Sequence, residues 1–205
     1  MMHLILSTGN AGKVRELRDL LGDHYTVLSK KEVGLGDFEV AETGDTLEEN
    51  AHLKAQALYE KLCEKTGKTS FHVLADDTGL FVDALAGEPG VYSARYAGAK
   101  ASDAENREKL LRALADIPEE RRTAHFLTVL VLRTEDGFHE AKGRLDGRIV
   151  RTPRGKNGFG YDSIFEVSGR TLAEHEETEK NAISHRGRAL RALAEWLADR
   201  KEGER

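Results

Sequence analysis

An apolar run at residues 123–133 constrains the fold of this chain most strongly. Its letters are TAHFLTVLVLR, and apolar side chains occupy both of the alternating faces that a strand presents. A strand of this kind needs cover on both sides, so the run predicts a central strand of a sheet. Further along, Asp146-Gly147 predicts a tight turn that leads into another strand at residues 148–151.

Two adjacent acids follow a second apolar run and have two interpretations. Residues Phe71 to Ala75 predict a strand, and Asp76 and Asp77 come directly after it, before Thr78. Ligands gather where strands end, and neighbouring carboxylates repel each other unless a cation is present, so one interpretation is a metal site. The other is an Asx-type turn that closes the strand with both acids in water. The stretch by itself favours neither.

Capping boxes predict where three helices begin. In each box a hydroxyl and a carboxylate three positions later satisfy each other's backbone donors. The boxes start at Thr46, Ser102 and Thr171. The first helix carries Asn50 and Lys54 one turn apart beside its apolar stripe, so they share a face. Lys54 either extends to water or points its charge into a cleft.

The first loop has the features of an anion site. A short strand, His3 to Leu6, leads into Thr8–Lys13 and then into an amphipathic helix. Backbone N–H groups at a helix N-terminus face a bound anion, and Lys13 adds a full charge. The loop is not a Walker A motif, because Ser7 and Val14 stand where that motif needs a glycine and a hydroxyl. It predicts a phosphate-binding turn.

Residues 158–162, GFGYD, predict a loop that approaches a flat ligand. Glycines allow close approach of the backbone, and Phe159 and Tyr161 are suited to stacking on a base. A hairpin that packs its aromatic side chains is the alternative. Ser184 is suited to cap the last helix, which places His185 and Arg186 in the first turn. Cations there oppose the helix dipole unless an anion compensates, a conflict typical of functional sites. A solvated His–Arg pair is the alternative.

The composition argues against several classes of protein. The 205 residues suffice for one large domain or two small lobes. A net charge of -5 without a basic stripe argues against binding to nucleic-acid polymers. The longest apolar runs fall short of the roughly 20 residues that a membrane helix needs, and the N-terminus lacks the features of a signal peptide. The single cysteine, Cys63, fits a cytoplasmic setting, and the scattered histidines lack the spacing of zinc ligands.

The charged and aromatic groups together suit a polyphosphate bound through Mg²⁺ with a planar base at its other end. Magnesium is preferred because the candidate ligands are all oxygen donors and phosphates can complete its octahedron. The candidate ligands are Asp76, Asp77 and Glu42. The candidate anion-binding groups are the Thr8–Lys13 turn, Lys54, Arg95, Lys180 and Arg186, and the candidate base-facing groups are Phe159, Tyr161, Asp162, His185 and Arg186.

Four blocks of this sequence resemble the inosine triphosphate pyrophosphatase family, the bacterial non-canonical purine NTP pyrophosphatases. They occur in the family's order and span residues 7 to 187, nearly the whole chain. Each block alone is only weakly or moderately specific, whereas the set is highly specific. The blocks are STGNAGK at 7–13 with Glu16, ETG at 42–44 with ENA at 49–51 and Lys54-Ala55, the stretch from Asp76-Asp77 to Arg95, and GFGYD at 158–162 with SHRG at 184–187.

The resemblance implies a reaction, a fold and a set of site residues. The reaction is hydrolysis of ITP, dITP, XTP and dXTP to the monophosphate and pyrophosphate. The implied fold is an α/β fold with an elongated mixed central sheet flanked by helices. It forms one domain over residues 1–205 with two lobes around a nucleotide cleft. The implied assembly is a homodimer. By position, Asp77 is the implied catalytic acid-base and Mg²⁺ ligand, with Glu42 as a further ligand. The implied substrate-binding residues are Thr8, Gly9, Asn10, Ala11, Gly12, Lys13, Lys54, Thr78, Arg95, Phe159, Gly160, Tyr161, Asp162, Lys180, His185 and Arg186.

Two departures from the family pattern stand out. Several relatives have two acids where this chain has Ala41-Glu42, which leaves open which acid binds the metal. Thr78 and Ser163 stand where many members have Ser and Pro. A Maf-like pyrophosphatase acting on pyrimidine or modified nucleotides is an alternative enzyme. A nucleotide-binding sensor without catalysis is a further alternative, although pure binding gains little from acids crowded at a phosphate.

Overall fold

A computed structural model of the chain describes residues 2–21 and 25–203. Strands and α-helices alternate through much of its length. The strands are β1 (Met2–Leu6), β2 (Tyr25–Ser29), β3 (His72–Val82), β4 (Pro89–Gly90), β5 (Thr123–Thr134), β6 (Gly137–Ile149), β7 (Phe165–Val167) and β8 (Arg170–Thr171). The helices are α1 (Ala11–Leu21), α2 (Leu47–Thr66), α3 (Asp103–Ala113), α4 (Glu177–Ile183) and α5 (His185–Gly203).

The eight strands form a mixed sheet. Its order is β2-β1-β3-β5-β6-β7-β8, with β4 beside β3. Strand β1 runs parallel to both β2 and β3, whereas β4 is antiparallel to β3 and β7 is antiparallel to β6 and β8. The predicted α/β fold with a mixed central sheet is confirmed. The run at 123–133 forms β5, in which Val129 to Leu132 are fully buried, as its two apolar faces require.

The chain folds into two compact units. Unit 1 contains the residues up to Asp77, Thr128–Gly143 and the chain from Ala189, and unit 2 contains Thr78–Leu127 and Arg144–Arg188. Unit 1 has an apolar cluster that includes Leu74 and Leu130 and another that includes Leu58 and Val73. Unit 2 has a cluster that includes Leu80 and Phe165. Since β3 passes from one unit to the other after Asp77, the two acids end the unit 1 part of that strand.

The helix starts agree with the capping-box predictions. Thr46 Oγ1 accepts from Glu49 N at 3.1 Å and Glu49 Oε2 accepts from Thr46 N at 3.3 Å, and Ser102 with Glu105 repeats the arrangement. The box at Thr171 is also formed, but it opens a three-residue 3-10 helix, Leu172–Glu174. Over residues 2–21 and 25–203, none of the helices combines the length and the apolar character needed to cross a membrane.

Strand β3 continues through the two acids, so the prediction that the strand ends there is wrong. The residues beyond explain the continuation: Leu80 and Val82 are fully buried, and Leu80 and Phe81 pair with Gly90 and Pro89 of β4. Burial of that second apolar segment holds the backbone extended across the polar stretch. The Asx-turn interpretation is therefore also wrong, and the carboxylates project from the middle of a strand.

Strand β6 likewise continues through Asp146-Gly147, where the dipeptide predicted a turn. A Cβ at Gly147 would lie 2.4 Å from Glu166 O and 2.7 Å from ring atoms of Phe165. Gly147 therefore allows the close approach of β7 to β6, which is a reason for glycine within a strand that differs from a turn. The Asp-Gly pattern thus marked a position where the structure requires glycine, but residues 146–147 lie in strand β6 and not in the predicted turn.

Candidate active site

Lys54 of α2 joins three acidic residues of unit 1. Its side chain is buried, with the residue 9% exposed, and its ammonium donates to Asp77 Oδ1 at 2.5 Å, to Glu42 Oε1 at 3.1 Å and to Asp76 O at 2.8 Å. Of the two orientations left open for this lysine, the structure shows the one that points inward. Glu42 and Asp77, distant in sequence, thereby meet at one cation.

The neighbouring acid takes a lysine from another helix. Asp76 is 1% exposed, and its carboxylate contacts the ammonium group of Lys13 in α1. Successive side chains of a strand point to opposite faces, which explains why Asp76 and Asp77 meet different lysines. The arrangement leaves Asp77, together with Glu42, as the pair of carboxylates on the Lys54 side.

Burial dominates the electrostatics of the Asp77–Lys54 pair. Loss of water raises the pKa of Asp77, and Lys54 and Lys13 offset that rise only in part. Burial by itself would lower the pKa of Lys54, but Asp77 and Glu42 outweigh it, so that pKa is raised. Lys54 is therefore held as a cation, while Asp77 binds a proton more readily than an ordinary aspartate does.

The predicted phosphate turn leads directly into α1. Thr8 Oγ1 accepts from Asn10 N at 3.2 Å, and Asn10 Oδ1 accepts from Lys13 N at 3.0 Å. These bonds fix the turn before α1 begins at Ala11. Gly9, Asn10 and Ala11 are exposed, so this helix start is open to solvent. An exposed helix N-terminus of this kind is suited to bind an anion, and the Lys13 ammonium next to it contacts the Asp76 carboxylate.

Asn50 and Ser7, which were not among the predicted site residues, hold these parts in place. Asn50 is fully buried; its Oδ1 accepts from Gly44 N at 2.9 Å and its Nδ2 donates to Gly44 O at 3.3 Å, which fastens the segment after Glu42 to α2. Ser7 Oγ donates to Lys54 O at 2.8 Å. The spacing of Asn50 and Lys54 signalled a shared face, whereas nothing in the sequence signalled the contact of Ser7.

In unit 2 a second lysine–aspartate pair lies at the glycine-rich loop, residues 158–162. Lys180 of α4 is 4% exposed and donates to Asp162 Oδ2 at 2.7 Å. The same carboxylate oxygen accepts from Phe159 N at 2.8 Å. The Lys180 ammonium also lies 4.9 Å from the centre of the Phe159 ring, within the range of a cation–π contact. Three predicted residues are thus brought together around one half-buried aromatic ring.

The start of α5 places a further cation near this loop. Ser184 caps the helix as predicted, since its Oγ accepts from Gly187 N at 3.0 Å, and His185 and Arg186 lie in the first turn. Both residues are buried, so they are not the solvated pair of the alternative interpretation. The Arg186 guanidinium lies 5.8 Å from the Phe159 ring centre and donates to Thr78 Oγ1 at 3.2 Å. The His185 ring stacks on Phe126 at 4.5 Å between centroids.

Tyr161 and Arg95 have other surroundings. The Tyr161 ring belongs to the core of unit 2, 5% exposed, and its hydroxyl donates to Ser93 O at 2.8 Å, while burial raises the pKa of the phenol. These contacts favour Phe159 over Tyr161 as a group that stacks on a base. Arg95 ends a 3-10 helix and its guanidinium lies 5.2 Å from the centre of the Tyr92 ring.

A further pair in unit 2 was missed by the sequence analysis. Asp103 Oδ2 accepts from Gly160 N at 2.7 Å, and Arg107 Nη1 donates to Gly160 O at 2.6 Å. Asp103 and Arg107 are one turn apart on α3, so their spacing indicates a common face. The sequence held no signal that this face meets the glycine-rich loop 53 residues or more downstream.

Oxygen donors are what the site offers to a metal ion. Across residues 2–21 and 25–203, histidine, cysteine and acidic side chains form no group of three or more able to hold one. Glu42 and Asp77 both approach Lys54, and they are the carboxylates that remain after Asp76 meets Lys13. Two carboxylates completed by substrate phosphates is the ligand set typical of Mg²⁺.

Comparison with known proteins shows the family of the chain. The sequence profile of the Ham1 family matches residues 4–196. The dITP/XTP pyrophosphatase of Caldanaerobacter subterraneus is 44% identical over 98% of this chain and 99% of its own length, and that of Yersinia pseudotuberculosis is 48% identical over 97% and 100%. The structure of a HAM1 protein from Coxiella burnetii matches with a TM-score of 0.82 at 41% identity, over 97% of this chain and 100% of that one. The chain belongs to the Ham1 family.

Proposed function

We propose that this chain hydrolyses deaminated purine nucleoside triphosphates, ITP, dITP, XTP and dXTP, to the monophosphate and pyrophosphate, which removes them from the nucleotide pool. The observation that carries the proposal is the buried Asp77 carboxylate bonded to Lys54 beside Glu42. Relatives that are 44% and 48% identical over nearly the whole chain carry the name dITP/XTP pyrophosphatase.

Unit 1 is assigned the phosphate end of the substrate. The backbone N–H groups of the Thr8–Lys13 turn and the ammonium groups of Lys13 and Lys54 are suited to bind the triphosphate. They oppose the negative charge that develops on the departing pyrophosphate. Three carboxylates share two lysines here, and that acid surplus suits a divalent cation better than a bare polyphosphate.

Mg²⁺ fits this donor set, with Asp77 and Glu42 as the residues that would hold it. When bound, the ion neutralises phosphate oxygens and makes a water molecule a better nucleophile. The protein's own contribution is Asp77, which accepts a proton from the attacking water as the α–β anhydride bond breaks. Burial raises the pKa of this carboxylate, which makes it a stronger base than an ordinary aspartate.

Unit 2 is assigned the base. Hypoxanthine and xanthine have a 6-oxo acceptor where adenine has an amino donor. Lys180 and Arg186 supply donors around the Phe159 ring, whose face is suited to stacking on a purine, and His185 is a further candidate donor beside Arg186 in the first turn of α5. An adenine amino group facing those donors would lose its hydrogen bonds to water, a cost of about 1–3 kcal/mol per buried group.

The wider organisation follows from the same proposal. We assign the two units to the two lobes of one catalytic domain over residues 1–205, with Thr78 and Arg95 among its substrate-binding residues. A homodimer and a cytoplasmic location complete the assignment, the latter supported by the single cysteine, Cys63.

Hydrolysis of ITP, XTP, GTP, ATP, dTTP and UTP in parallel, with and without Mg²⁺ and with the products identified, tests the proposal. We expect IMP and pyrophosphate from ITP, a requirement for Mg²⁺, and little turnover of ATP. Release of orthophosphate and IDP would overturn the pyrophosphatase assignment. A preference for dTTP or UTP in the same assay would overturn the choice of purine substrates.

A further inference from the structure

Two side chains of α3 hold the glycine-rich loop of unit 2 at a single residue. Asp103 accepts from Gly160 N at 2.7 Å and Arg107 donates to Gly160 O at 2.6 Å. Both bonds join a charged side chain to a neutral backbone group, which makes them stronger than bonds between neutral partners. The loop is therefore attached to α3 by one donor and one acceptor of the same residue.

The loop needs such an attachment because its backbone depends on glycine. Gly158 and Gly160 have φ angles of +76° and +59°, in the left-handed region that favours glycine. Phe159 lies between these two residues. On one side of the loop, Asp162 accepts from Phe159 N at 2.8 Å and pairs with Lys180 at 2.7 Å. On the other side, the bonds to α3 fix the following peptide groups.

We propose that Asp103 and Arg107 are positioning residues for base recognition: they fix Gly160 and thereby place the Phe159 ring, which sets both affinity and selectivity for a 6-oxopurine. Neither residue needs to contact the nucleotide. Asp103 is exposed and Arg107 is half-buried, and their described bonds go to the backbone of the loop. The proposal rests on the assignment of unit 2 to the base, and it adds a source of selectivity outside the base-facing residues.

Kinetics of Arg107→Met and Asp103→Ala test the proposal. Each change removes one of the two anchors, and we expect KM for ITP to rise about tenfold with kcat altered less than about twofold, because a ground-state positioning contact is lost. The ratio of kcat/KM for ITP to that for ATP should fall about fivefold. Affinity for IMP should fall as KM rises, whereas affinity for inorganic tripolyphosphate, which lacks a base, should not change.

Conservative and matched variants separate positioning from general damage. Arg107→Lys and Asp103→Asn keep a donor and an acceptor and should recover most of the affinity for IMP. Arg112→Met is the control, since Arg112 lies on the same helix in an exposed pair with Glu108 at 3.6 Å. It should match the parent protein in every assay. Thermal unfolding midpoints identify any variant that fails to fold.

Two results would overturn the inference. One is an unchanged KM, IMP affinity and ITP/ATP ratio in folded Arg107→Met and Asp103→Ala proteins. The other is an equal loss of affinity for IMP and tripolyphosphate, which indicates a structural effect beyond the loop. If the parent protein itself fails to release pyrophosphate from ITP, the proposed function fails. If the parent protein turns over ITP normally and the variants behave like the parent, only the role of α3 is rejected and the proposed function stands.

Discussion

Each unit contains a buried lysine–aspartate pair, and the surroundings of the two pairs differ. Lys54 donates to Asp77 at 2.5 Å in unit 1, and Lys180 donates to Asp162 at 2.7 Å in unit 2. Around the first pair, Glu42 and Asp76 add acids while Lys13 adds one cation. Around the second, Arg186 adds a cation and Phe159 adds a π face and a backbone donor.

The difference shows how one ion pair supports two kinds of chemistry. Under the proposed function, a divalent metal with phosphate ligands would balance the surplus of carboxylates in unit 1. Under the proposed function, the oxo group of a deaminated purine would accept hydrogen bonds from the surplus of donors in unit 2. The lysine–aspartate pair is common to both clusters, so in this proposal the neighbouring residues determine what each cluster binds.

The largest expected effect comes from Asp77→Asn. The change keeps the shape and removes the base, so turnover of ITP should fall by about a hundredfold to ten-thousandfold, the range typical of general acid–base catalysis. The Mg²⁺-independent part of nucleotide binding should survive. Rates are measured by pyrophosphate release and binding by calorimetry.

Asp76→Asn is the matched control, because that acid meets Lys13 on the opposite face of β3. It should cost less than Asp77→Asn by at least about tenfold. Near-normal turnover by Asp77→Asn, or equal losses in the two variants, would contradict the assignment of the base to Asp77.

A smaller effect is expected from Glu42→Gln, which tests the acid surplus of unit 1. Loss of one ligand charge should raise the Mg²⁺ concentration needed for half-maximal turnover about tenfold, with partial recovery at high Mg²⁺. A titration of activity against Mg²⁺ measures the shift. Glu48→Gln is the control, since Glu48 lies on α2 and pairs with Lys142 of β6 at 2.7 Å. An equal response of both variants would remove Glu42 from the metal site.

Much of this arrangement was predictable from local sequence patterns, and the rest depends on tertiary contacts. Capping boxes located α2 and α3 because the bonds involved lie within four residues. The spacing of Asn50 and Lys54 placed both on one helix face. The path of β3 was mispredicted because burial of Leu80 and Val82 overrides the turn tendency of the Asp pair. The contact of α3 with Gly160 joins distant segments, which no local pattern encodes.

Substitution of Phe159 in unit 2 is expected to have an effect on KM that is similar to, or smaller than, the effect of Glu42→Gln on the Mg²⁺ requirement. Loss of the ring in Phe159→Ala should raise KM for ITP about tenfold, within the range of about 1–3 kcal/mol per stacked base. The control is Tyr161→Phe, which removes the bond to Ser93 O from a buried ring. That change should lower the unfolding midpoint and leave KM unchanged. If Tyr161→Phe raises KM as much as Phe159→Ala, the distinction between the two rings is lost.

Glu166 of unit 2 is a buried acid that pairs with two arginines, Arg148 and Arg154, and serves as a comparison for Asp77. Its substitution is expected to have the smallest effect. Burial would raise its pKa, but bonds to Arg148 at 2.6 Å and to Arg154 outweigh burial, so the pKa is lowered, opposite to that of Asp77. A lowered folded-state pKa contributes stability above the ordinary glutamate value near 4.3. That stability disappears as pH falls through the folded-state value.

Glu166→Gln should therefore lower the unfolding midpoint at pH 7 by about 2–4 °C and leave the midpoint nearly unchanged at the most acidic pH tolerated. Differential scanning calorimetry across that pH range measures both. KM and the Mg²⁺ requirement should stay at the parent values, because the Glu166 contacts serve structure. A midpoint difference that grows as pH falls would reverse the assigned sign, and the contrast with Asp77 would then rest on geometry alone.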